Sequence, residues 1–200
     1  VVPLLTIPNT LSTSRNGITN RTLSKLFRME EEKKTRIAAV GDIHVRESDK
    51  GKWVEYFKEV SKSGDILLIC CDLTDTGDEA EAQVLAEELR ACTVPVVGVL
   101  GNHDFEKGRN KLIRQIVHNE NVHILDGEAV VISGVGFAGV KGFGGGFDND
   151  MLSMFGEGAM KAFVQEAVDE ALRLERALAR LDAEYKVQKK VAILHYSPLR

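Results

Sequence analysis

The 200 residues are enough for one domain with a sizeable core, and the 44% apolar fraction is that of a globular protein. The formal net charge of −4 gives no basic footprint for gripping nucleic acid, and no apolar run approaches the ~20 residues needed to cross a bilayer. Three cysteines, Cys70, Cys71 and Cys92, lack CxxC spacing; this argues against a disulfide scaffold and sets the expectation of a soluble, cytoplasmic protein.

The chain opens on Val1 rather than Met, which reads as a fragment or a processed product. Residues 1–35 are expected to lie outside the fold. Up to Met29 they carry Arg15, Arg21, Lys25 and Arg28 but no acidic residue, with Pro3 and Pro8 among Thr, Ser and Asn. Two readings stay open for this stretch: the remnant of an organelle-targeting segment, and a disordered extension.

From Arg36 the pattern becomes regular, so one domain is expected over residues 36–200. Arg36 to Val40, Asp65 to Cys71 and Pro95 to Leu100 are near-continuous apolar runs, as in strands covered on both faces. Helical spacing fills the intervals. Trp53, Tyr56, Phe57 and Val60 share a face within Lys52 to Lys62, as do Ala82, Leu85, Ala86 and Leu89 within Asp78 to Ala91. Asn110 to His118 reads as a third helix. This βαβαβ order predicts an α/β protein with a largely parallel sheet. Val122 to Leu125, Ala129 to Ser133 and Val135 to Val140 are short β runs separated by turn residues, which suggests antiparallel pairing. A Gly-rich loop, Gly142 to Gly146, precedes a long amphipathic helix from about Glu157 to Tyr185, with Asp169 spaced to pair with Arg173. A final strand, Val191 to Leu194, leads into His195.

The polar residues gather at strand ends. Asp42 and His44 follow the first strand, Asp72 and Asp75 the second, Asn102, His103 and Asp104 the third, and His195 the last. In open α/β sheets ligands bind at that edge. Carboxylate, imidazole and amide oxygen together suit a divalent transition cation such as Mn, Fe, Zn or Co. Cys70 and Cys71 read as core-like thiols. Gly134, Gly136 and Gly139 have the spacing of a dinucleotide fingerprint, but more strand-like sequence follows, so no helix N-terminus awaits a pyrophosphate.

Asp42-x-His44, Asp72-x-x-Asp75, Gly101-Asn102-His103-Asp104 and His195, in this order over Arg36 to Arg200, resemble the calcineurin-like metallophosphoesterase superfamily. The resemblance implies a four-layer αββα sandwich. It implies two divalent cations, one held by Asp42, His44 and Asp72, the other sharing Asp72 and held also by Asn102 and His195. It implies hydrolysis of phosphate mono- or diesters by a metal-bridging hydroxide, with His103 as the acid and Asp75 orienting it. The expected partner is a small phosphate-ester substrate. Two departures stand out. Cys71 replaces the usual Gly before the bridging aspartate, and no Gly-His-x-His segment follows His195. The second departure implies a chain truncated within its second sheet, with one ligand lacking for each cation. It keeps open the alternative of a non-catalytic binding or scaffold module.

Overall fold

The structure, a computed structural model, describes residues 4–8 and 34–198. Strands β1 (Leu4–Pro8), β2 (Lys34–Gly41), β3 (Ile66–Cys70), β4 (Val96–Val99) and β5 (Val122–Leu125) form one sheet in that spatial order. β2 to β5 are mutually parallel, and β1 lies antiparallel on the outer edge of β2. β1 thus pairs five residues of the segment expected to be an extension; most of the remainder lies outside the described residues. Helices α1 (Val54–Ser63), α2 (Glu79–Glu88) and α3 (Asn110–Val117) make the crossovers. Helix α2 starts where a capping box sits: the Asp78 carboxylate accepts from Ala80 N at 3.0 Å and Glu81 accepts from Asp78 N at 3.3 Å. Buried Glu88 in turn accepts from Gly51 N and Trp53 N, which satisfies backbone donors at the entry to α1.

The second sheet has the order β6 (Glu128–Ile132), β7 (Val135–Val140) and β8 (Lys189–Leu194). β6 and β7 are antiparallel, as expected, while β8 joins β7 in parallel after the long helix α4 (Gly158–Arg180). β5 departs from the antiparallel expectation, because α3 carries the chain back across the first sheet and a helical crossover returns a strand in parallel.

Three apolar clusters define four layers. Leu67, Ile69, Val96 and Ile124 face α1 to α3, where Phe57, Val60, Leu85 and Ile113 meet them. The alternate residues Ile66, Leu68, Val97 and Val99 face Val135, Phe137 and Ile193 of the second sheet. Ala138 on the far side of that sheet packs against Ala177 and Leu181. A strand buried on both faces has no polar alternation, which is why β3 reads as an unbroken apolar run. The order of layers is therefore αββα, as the resemblance implies. At the outer layer Arg173 pairs with Glu170 and Asp126, and Asp169 accepts instead from Gln165, so the expected Asp169–Arg173 pair does not form. Glu170 is buried against Gly142 N, which draws the guanidinium inward.

Candidate metal centre

β2 and β3 end side by side, and their loops continue as a short ladder beyond the sheet. His44 N donates to Asp72 O at 3.0 Å, Val45 N to Leu73 O at 3.0 Å, and Asp75 N to Val45 O at 3.1 Å. The polar residues of these loops take left-handed backbone: φ is 52° at Asp42, 42° at His44, 86° at Cys71 and 36° at Asp72. Each such non-glycine residue stores strain of order 1–2 kcal/mol, and clusters of this kind mark functional sites.

Asp104, which has no role in the sequence reading, locks the third loop to the second. With no exposed surface, its carboxylate accepts from Leu73 N, Thr74 N, Thr74 Oγ1 and Gly101 N at 2.5–3.1 Å. Burial pushes its pKa up against these four hydrogen bonds, which pull it down. Gly101 has no alternative residue: a Cβ there would collide with the carboxylate and backbone nitrogen of Asp72.

Asp72 is buried and presents its two oxygens differently. Oδ1 accepts from His103 N at 3.0 Å, and Oδ2 lies 3.7 Å from His44 Nε2. Such a carboxylate is able to serve two cations. The rings of His44 and His103 meet edge to face at 4.6 Å. His103 Nδ1–H donates to the main-chain carbonyl of Asp75 at 2.7 Å, with Glu106 Oε1 at 3.1 Å. That hydrogen bond, with the charges of Asp72, Glu106 and Asp75, holds the His103 pKa above its ordinary value. The Asp75 carboxylate faces elsewhere: it lies 3.6 Å from His44 Nδ1 and accepts from Arg46 Nε at 3.0 Å. Asp75 therefore contacts His103 through its backbone, while its carboxylate is hydrogen-bonded to Arg46 and lies near His44.

His195 arrives from the other sheet. β8 delivers it to the same edge, where Nε2 lies 2.6 Å from Asn102 Oδ1, and its backbone N donates to Lys141 O at 3.0 Å. Its Nδ1 is buried without a hydrogen-bond partner among the described residues. Tyr196, beside it, closes on Phe143 of the Gly-rich loop at 5.9 Å.

Among the described residues two groups form in which the donor atoms of each lie within 4.8 Å of one another: Asp42, Cys71 and His195; and His44, Asp72 and His103. This grouping differs from the one implied by the resemblance, which puts Asp42 with His44 and leaves Cys71 out. Cys71 was hidden in the sequence because a strand-end thiol looks like core. Burial, then the Asp42 charge, pushes its pKa up to about 12. Carboxylate, imidazole, amide oxygen and thiol at these strand ends form a donor set that fits divalent transition cations. Among the described residues no helix is long and apolar enough to cross a membrane.

None of the curated proteins matches the chain. A family model described as calcineurin-like phosphoesterase matches residues 35–200.

Proposed function

The chain belongs to the calcineurin-like phosphoesterase family, and from that premise we propose that it hydrolyses phosphate mono- or diesters at a centre of two divalent cations drawn from Mn, Fe, Zn or Co. One observation carries this reading: residues from four separate strand ends bring donor atoms together, Asp42 with His195, His195 with Asn102, and His44 with Asp72. The cations, when bound, neutralise phosphoryl oxygens and acidify water.

The chain's own residues do the rest. Asp72 offers one oxygen to each side of the site. Asn102 contributes an amide oxygen without adding charge that would repel a phosphate. His103 is the proposed proton donor to the leaving alkoxide. Its Nδ1–H is committed to the Asp75 carbonyl, so the transferred proton is the one on Nε2. Asp75 is the positioning residue of the pair. Three free thiols support the further proposal of a reducing, cytoplasmic setting.

The test is turnover of p-nitrophenyl phosphate and of its bis ester by the Mn2+-loaded chain, the preferred ester assigning mono- or diesterase character. His103→Gln is expected to cut kcat by about 10²–10⁴ with metal content unchanged. Asp75→Asn keeps the carbonyl that holds His103 and should cost only about 10–100-fold. Bound metal with no turnover of either ester would overturn the enzyme reading in favour of a non-catalytic binding module.

A further inference from the structure

The group of Asp42, Cys71 and His195 goes beyond the donor set just used. Cys71 follows the last residue of β3 at the point where the chain turns left-handed, with φ of 86°. Its Sγ lies alongside Gly41, where an added Cβ would meet it at 3.7 Å, and next to the Asp42 carboxylate. His195 reaches the same spot from β8, with a buried Nδ1 that has no hydrogen-bond partner among the described residues. A carboxylate, a thiol and an imidazole with donor atoms mutually within 4.8 Å form a mixed O, S, N set. Core packing does not account for it, since Asp42 is exposed and His195 and Cys71 are only half-buried.

We propose that Cys71 Sγ is a ligand of the cation held by Asp42 and His195, a thiolate donor that tilts this site toward Zn2+, Fe2+ or Co2+ and away from Mn2+ and Mg2+. The inference rests on the metallophosphoesterase reading of the site. As the sulfur–metal bond forms, the S–H bond breaks and its proton passes to solvent. A soft ligand in a site otherwise made of oxygen and nitrogen changes which cation is preferred, without changing the number held.

Cobalt substitution of the full chain tests this. The Co2+-loaded protein is expected to show an intense near-ultraviolet thiolate-to-cobalt charge-transfer band. The band should be lost in Cys71→Ser and Cys71→Gly and retained in Cys70→Ser, with circular dichroism checking the fold of each. Cys71→Gly keeps the test open if the serine variant does not fold, because glycine suits the left-handed backbone. In the same variants the Kd for Zn2+ should rise about tenfold or more while that for Mn2+ changes less. Cobalt bound at the expected stoichiometry without the band, or with a band that survives Cys71→Gly, would overturn the thiolate ligand and leave the metal site standing. Failure of the wild-type chain to retain any cobalt would overturn both.

Discussion

Asp104 collects four donors from two loops onto one buried carboxylate. In Asp104→Asn one amide oxygen replaces two carboxylate oxygens and an NH2 group faces hydrogen-bond donors, so buried N–H groups lose their partner. A cost of about 2–3 kcal/mol is expected, read as a lower urea midpoint at unchanged m-value; an unchanged midpoint would remove Asp104 as the clamp. At Cys71 two residue-scale effects compete in the metal-free protein. Releasing left-handed strain returns about 1–2 kcal/mol, whereas the freer unfolded chain of a glycine costs about 0.4–1 kcal/mol. Metal-free Cys71→Gly should therefore unfold at the same or higher denaturant concentration than wild type, and Cys71→Ala, which keeps the strain, should not gain. The motif residues themselves were legible in the sequence, because strand-end aspartates, histidines and Asn102 stand out against apolar runs. The work of Asp104 was not, since nothing local shows where its carboxylate turns.

At the scale of elements, periodicity located the helices to within a few residues, because an apolar face that must be buried repeats with the helix itself. Partners across elements were less legible. The helical spacing offers Arg173 either Glu170 or Asp169, and only Gly142 N behind Glu170 and Asp126 on the approaching loop decide between them. The outer helix is pinned to the second sheet chiefly at its C-terminal end, where Ala177 and Leu181 are fully buried and the helix closes with a π turn, Leu181–Tyr185. Leu181→Ala should cost about 2–5 kcal/mol in equilibrium unfolding. Replacement of the exposed Met160 at the other end should stay within about 0.5 kcal/mol; comparable losses at the two ends would refute the anchoring.

Over the whole molecule the first sheet is shared by two cores, with Phe57 under the helices and Phe137 between the sheets, both fully buried. Because alternate residues of the same strands serve both cores, the layers should melt together. Phe57→Ala and Phe137→Ala are each expected to cost about 3–5 kcal/mol and to shift one common transition, whether it is followed by circular dichroism or by Trp53 fluorescence. Two separated transitions would show the second sheet to be an independent unit. The sequence by itself determined the βαβαβ order, the αββα layering through its family resemblance, and the motifs at the strand ends, because strand and helix periods and the breaks between them are local properties of the chain. Only the tertiary structure decided that β5 stays in the parallel sheet, that His195 meets Asn102 across 93 positions, that the Asp75 side chain turns to Arg46 and His44 while its carbonyl holds His103, and that Cys71 stands with Asp42 and His195. These are distances between strand ends that come together when two sheets pack face to face, and no local pattern in the chain encodes them.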